Sequence, residues 1–173
     1  GWKEYEWRIQ CKDYKFPEYP FPRYTGGSLS GKSLLLHAEQ GLGDSIHFIR
    51  YAQLAKYAGA RVLFHCPPAL SKLFDHLPFI DQIIPMPSAV PTCDFYLPLM
   101  SAPHIFQTRP ETIPRDTPYI TPDPKLIEQW KNWLSQQPGR LKVGIVWQGN
   151  PDHPADWQRS LPFHVLEGLA HDN

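Results

Sequence analysis

No apolar run in this chain approaches the ~20 residues of a membrane span, and no charged-apolar-small leader pattern opens it, so neither a spanning helix nor a signal peptide is expected. Cysteine is scarce: Cys11, Cys66 and Cys93 are odd in number and widely spaced. That excludes a disulfide framework and a CxxC zinc site, and fits reduced thiols in a cytoplasmic protein. Neither sign of charge dominates, since seventeen Lys and Arg balance seventeen Asp and Glu without a long run of either. A nucleic-acid groove or an anionic membrane surface is therefore not expected, and small or neutral ligands fit better. The chain also lacks an initiating Met, opening at Gly1, so the natural protein is expected to extend beyond either end. With 42% hydrophobic and 13% aromatic residues among its 173, it has the material for a substantial core. At roughly 100–200 residues per domain, that is one full domain and part of another.

The most informative run is Ser33 to Cys66. It reads as a buried strand over 33–37, a turn holding Gly41 and Gly43, an amphipathic helix opening at Asp44, and a second strand after Gly59, which caps the helix. This is a βαβ unit. Its turn lies just past the carboxyl end of a strand, facing a helix N-terminus, where open parallel sheets place ligands.

Around this unit, residues 1–24 read as a helix end, with Trp2, Tyr5 and Ile9 at helical spacing, followed by an extended linker broken by Pro17, Pro20 and Pro22. After the second strand, Pro67-Pro68 opens a helix with Leu70, Leu73, Phe74 and Leu77 on one face. Ile83-Ile84 and Phe95 to Leu97 read as further strands, and a short helix is expected around 102–106 in a proline-rich stretch over 98–122. Asp123 and Pro124 start another helix with Leu126, Trp130, Trp133 and Leu134 as its stripe. Val143 to Trp147 reads as a buried strand, followed by a loop and a helix over 162–170, which looks like the opening of another α/β unit; a lone strand and helix cannot build a core, so 140–173 either adds to the first sheet or begins a second domain.

The candidate site residues follow from this layout. The G-x-G turn invites a dinucleotide, but Ile46 stands where the third glycine of that fingerprint is expected and Asp44 puts negative charge at the helix start. Both argue against a nicotinamide or flavin site. Asp44 itself has two readings that do not exclude each other: a helix cap accepting the amide of Ile46 or His47, and a general base at the carboxyl edge of the sheet. Glu39 is a second carboxylate in the same loop. His37 ends the strand and His47 lies one turn into the helix, so both border the same cleft, as polar lining rather than metal ligands. Arg50 reads as a solvated helix residue. Near the C-terminus, Gly149-Asn150 and Arg159-Ser160 flank a loop between strand and helix. They read either as an anion site or as an ordinary loop with Arg159 paired to Asp152 or Asp156.

The segments LLLHAEQGLGDSIHFIRYA, DFYLPLMSAP, ETIPRDTPYI and VGIVWQGNPDH…RSLP, in this order, resemble tetratricopeptide-repeat-associated glycosyltransferases. These are similar to the heptosyltransferase-like glycosyltransferase family 9, with its GT-B fold. The opening GWKEYEWR resembles the helix and tail after the last repeat.

The resemblance implies an α/β chain: 1–24 as the segment following a repeat region, 25–139 as a Rossmann-like, three-layer acceptor domain with a mainly parallel sheet, and 140–173 as the first strand and helix of a donor domain. Leu42-Gly43-Asp44 matches the Leu-Gly-Asp turn that supplies the proposed base in heptosyltransferases, which makes Asp44 the implied catalytic residue. His37, Glu39, Gln40, Gly41, Gly43 and His47 would line the acceptor cleft, and Gly149, Asn150, Arg159 and Ser160 would hold the departing diphosphate. The implied partners are a nucleotide sugar, a glycan or protein acceptor and N-terminal tetratricopeptide repeats; neither a metal nor another cofactor is implied. With most of a donor domain missing from these residues, they are expected to be inactive alone. The alternatives are a non-catalytic glycan- or protein-binding module attached to the repeats, and a purely structural repeat cap.

Overall fold

Between residues 33 and 105 the apolar runs bounded by glycine or proline become the strands and helices of a parallel α/β domain. The computed structural model describes residues 1–12, 14, 17–139 and 141–170. Parts of the expected 1–24 and 140–173 segments, namely 13, 15, 16, 140 and 171–173, lie outside the described residues. Contacts divide the chain into two units, Gly1–Ile127 and Glu128–Asn173.

The first unit opens with a short helix α1 (Trp2–Tyr5) continued by a 3-10 turn, Glu6–Gln10. Strands β1 (Ser33–His37), β2 (Arg61–Cys66), β3 (Gln82–Pro85) and β4 (Phe95–Pro98) form one sheet in the order β3-β2-β1-β4, every pairing parallel. Between them lie α2 (Leu42–Phe48), α3 (Tyr51–Tyr57) and α4 (Pro68–Phe74), and after β4 a 3-10 turn, Leu99–Ser101, leads into α5 (Ala102–Ile105). The fold is thus α/β and Rossmann-like.

Strand alternation sorts the core into two faces. Leu34, Leu36, Val62 and Phe64 pack with Ile49, Ala52 and Ala55 of the α2–α3 region and with Leu70 and Phe74 of α4. Leu35, Leu63 and Ile84 point the other way and meet Tyr19, Phe21, Val90 and Cys93. Where a third layer of helices was expected, this second face is covered by extended chain. The connection 86–94 is short and carries Pro87 and Pro91, leaving no room for a crossover helix.

The N-terminal residues complete that cover. Tyr24 N–H donates to the Tyr96 carbonyl at 2.8 Å and Tyr96 N–H to the Pro22 carbonyl at 3.1 Å, so 22–24 runs as a parallel rung along the outer edge of β4. At the opposite ends of β1 and β4, Asp94 ties both strands: Oδ2 accepts Ser33 N–H at 2.9 Å and Ser33 Oγ–H at 2.7 Å, and Oδ1 meets Lys32 at 3.1 Å. These donors hold its carboxyl down at about 2.

The helix expected to run unbroken from Asp44 instead starts at Leu42 and breaks at Ile49-Arg50, and side chains explain the break. Tyr119 Oη–H donates to the Ile46 carbonyl at 2.9 Å and Arg50 Nε–H to the His47 carbonyl at 2.8 Å, taking acceptors that a continuous helix would use. Arg50 is half-buried, not solvated: it also donates to the Pro114 carbonyl at 3.1 Å and lies over the Tyr119 ring, 4.4 Å from its centroid.

Gly59 ends α3 with φ +89°, and a Cβ there would lie 3.0 Å from Ser30 Cα. Gly59→Ala is therefore expected to destabilise the protein by about 2 kcal/mol, from left-handed strain and the close approach. A denaturation midpoint equal to wild type would contradict this.

In the second unit, helix α6 (Pro124–Ser135) continues from the first, started by Asp123 Oδ1 accepting Lys125 N–H at 2.8 Å. Residues 143–147 carry no regular secondary structure where a strand was expected, and the last helix is a 3-10 helix, Phe163–Ala170. A strand needs a ladder partner, and the described part of this unit contains no other strand to supply one.

Candidate functional site at the carboxyl edge of the sheet

The strand order places a topological switch between β1 and β4: the chain steps from β1 through β2 to β3, then returns to the far side of β1. In open parallel sheets the crevice outside the carboxyl ends of such a strand pair is where ligands bind. Here it is bordered by residues 38–41 after β1 and by Leu99–Ser101 after β4.

Asp44 stands on this edge. It occupies the third position of α2 and reaches back, so that Oδ2 accepts the Gly41 N–H at 2.9 Å. The cap therefore serves the amide ahead of the helix, not that of Ile46 or His47, because α2 begins two residues earlier than expected. Among the described residues Oδ1 accepts no hydrogen bond, and the side chain is half-buried. Gln40, Gly41, Gly43 and His47 are exposed around it, with the His47 ring stacked on Phe48, centroids 5.0 Å apart.

Glu39 and His37 are buried. Glu39 receives a two-pronged grip from Arg8, Nη2–H to Oε1 at 2.8 Å and Nε–H to Oε2 at 3.1 Å, together with Met100 N–H at 2.7 Å and the Tyr14 hydroxyl. Arg8 also donates to Ser101 Oγ at 2.8 Å and Glu6 Oε1 at 2.9 Å, while Arg23 donates to Glu6 and to Ser101 Oγ. Burial opposes the charge on Arg8, but the bonds and charge of Glu39 outweigh it and raise its pKa. Burial and the neighbouring Glu39 likewise push the Tyr14 hydroxyl well above its ordinary range. Tyr5, Arg8, Tyr14 and Ser101 were not among the site residues expected from sequence, where Tyr5 read only as part of a helix face; the signal there was a charged Glu6-x-Arg8 pair inside an aromatic stretch.

His37 sits beside His65 in register on β2, beneath the Tyr19 ring, whose hydroxyl is 2.9 Å from His65 Nδ1. His65 Nε2 is buried with no hydrogen-bond partner among the described residues. Burial lowers the pKa of both histidines, that of His37 to about 4; Glu39 and the Ala38 carbonyl pull His37 upward, His65 and Arg8 downward. A histidine kept neutral in the fold stabilises it above the unfolded value near 6.5 and withdraws that stability as pH falls towards its folded value. Unfolding free energy is expected to drop by on the order of 3 kcal/mol from His37 between pH 6.5 and about 4. His37→Gln should flatten that slope, and equal slopes in wild type and variant would contradict the assignment.

In the second unit, Gly149, Asn150, Arg159 and Ser160 come together in one closed loop. Ser160 Oγ accepts the Gly149 N–H and donates to Asp156 Oδ1, each at 2.8 Å. Asn150 Oδ1 takes the Asp152 N–H at 3.1 Å, and Arg159 lies 3.7 Å from Asp156 rather than Asp152. A Cβ on Gly149 would fall 2.7 Å from Asp156 Oδ1 and 3.3 Å from the Arg159 guanidinium, so those side chains would have to shift to admit one. Cys11, Cys66 and Cys93 are free thiols, and burial pushes Cys66 up to about 11. Among the described residues, no group of three or more His, Cys, Asp or Glu is arranged to hold a metal ion, and no helix is long and apolar enough to cross a membrane.

The chain is similar to Protein FlbA of Caulobacter vibrioides, with 25% identity over an aligned length of 198 residues. That alignment covers 99% of this chain but 32% of the relative. No family model and no solved structure matches the chain.

Proposed function

We propose that this chain is the acceptor-side domain of an inverting, nucleotide-sugar-dependent glycosyltransferase, with Asp44 as the general base. The observation that carries this reading is the place of Asp44, at the carboxyl edge of β1 beside the β1/β4 switch, in the Leu42-Gly43-Asp44 turn, with one carboxylate oxygen oriented by Gly41. The base takes the proton of an acceptor hydroxyl as that oxygen bonds to the anomeric carbon. The electron pair of the breaking carbon–oxygen bond leaves with the nucleoside diphosphate, and the configuration inverts. Gln40, Gly41, Gly43 and His47 would meet the acceptor, and Glu39 and His37 would shape it from beneath; in the second unit, Gly149, Asn150, Arg159 and Ser160 are the residues that the resemblance implies for the diphosphate.

The test is donor turnover by the full-length protein over a panel of nucleotide sugars, wild type against Asp44→Asn. Unchanged turnover in the variant would remove the base; a wild type that neither turns over nor binds any donor would remove the enzyme. A second reading, a non-catalytic glycan- or protein-binding module, draws support from Arg8 and Tyr14, which already fill part of the switch crevice through Glu39.

A further inference from the structure

Within the turn that carries Asp44, Gln40 holds a left-handed backbone, φ +60°, while the glycine after it, Gly41, is extended. A glutamine keeps that conformation only where its surroundings impose it. Two groups do so here. Gln40 Nε2–H donates to the Tyr5 hydroxyl at 2.7 Å, and the preceding residue, Glu39, is fixed by Arg8, Met100 N–H and Tyr14. The next peptide is the one whose N–H reaches Asp44, and the backbone angles of Gln40 aim it. Helix α1 also braces the other end of α2, since Trp2 meets the Phe48 ring edge to face at 5.9 Å.

We propose that Tyr5 and Arg8 are positioning residues for the Asp44 turn: by holding Gln40 and Glu39 they keep the Gly41 N–H directed at the Asp44 carboxylate. The N-terminal segment is then a working part of the site rather than a tether leading to it. The catalytic meaning of this inference rests on the reading of Asp44 as the base; the geometry it asserts does not.

The experiment is amide hydrogen exchange on the full-length protein, comparing wild type with Tyr5→Phe, which removes one hydroxyl, and Arg8→Lys, which keeps the charge but loses the fork. Exchange across residues 40–46 should quicken about five- to tenfold, as for the loss of one or two hydrogen bonds, while the amides of β1 and β2 stay within about twofold. Should Arg8→Lys fail to fold, Tyr5→Phe still decides the matter. Unchanged exchange over 40–46 would overturn the proposal. Acceleration shared equally by the strands would overturn it too, since that is a general loss of stability. Where turnover is measurable, Tyr5→Phe should lower kcat with little change in donor KM. A turn that responds in an enzyme indifferent to Asp44→Asn would leave the positioning intact and remove only the base.

Discussion

Asp44→Asn in the full-length protein is expected to reduce sugar transfer by about 10²- to 10⁴-fold, the usual contribution of a positioned general base. The substitution isolates chemistry from architecture. Asparagine keeps an oxygen where Oδ2 accepts the Gly41 N–H at 2.9 Å, so the start of α2 has its partner, but the amide cannot take a proton at neutral pH. Stability should therefore change by less than ~1 kcal/mol, within the range of one cap bond. Loss of transfer with the melting curve retained is the signature of a base. A variant that loses transfer and melts early would mark Asp44 as a cap.

Arg8→Met carries the largest expected effect on stability. The Arg8 and Glu39 side chains are 9% and 3% exposed, so removing the guanidinium leaves a carboxylate buried without its counter-ion. Such a break costs about 3–5 kcal/mol, which for a chain of this size lowers the melting temperature by roughly 10 °C. Adding Glu39→Gln should recover much of the loss, because a neutral amide accepts from Met100 N–H through its oxygen and donates to the Tyr14 oxygen through its NH2, without a stranded charge. Chemical denaturation of wild type, both single variants and the double variant measures this coupling directly. An Arg8→Met protein within 1 kcal/mol of wild type, on the usual scale of an exposed pair, would show the fork to be ornamental.

The sheet was legible because its signals are local. Leu34 to Leu36, Val62 to Phe64, Ile83-Ile84 and Phe95 to Leu97 are compact apolar runs with glycine or proline nearby, and each became a strand. The Asp44 turn was legible for the same reason. What could not be read is what depends on distant partners. Glu39 reads only as a second carboxylate of the loop until Arg8, 31 residues earlier, is seen to grip it. Arg50 reads as solvated until Tyr119 and Pro114 arrive over it. The prolines at 17, 20 and 22 imply a linker, yet the same extended backbone that bars a helix suits a strand-like rung beside β4. Val143 to Trp147 shows the converse: composition alone favours a strand, but no strand forms there.

The rung and the Arg8 fork also fix an order of assembly. Tyr24 needs Tyr96, and Arg8 needs Ser101, 93 positions further along the chain. On the ribosome residues 1–24 leave ahead of the sheet, yet they are among the last of their domain to find a place, because their docking surface is not complete until β4 and the turn after it have been made. Until then Tyr19 and Phe21 stay in solvent and the second face of the young sheet stays bare. Closure of the entropically costly long loop would coincide with the setting of the Asp44 turn, so a nascent domain would gain its ligand edge only in the final step of its folding.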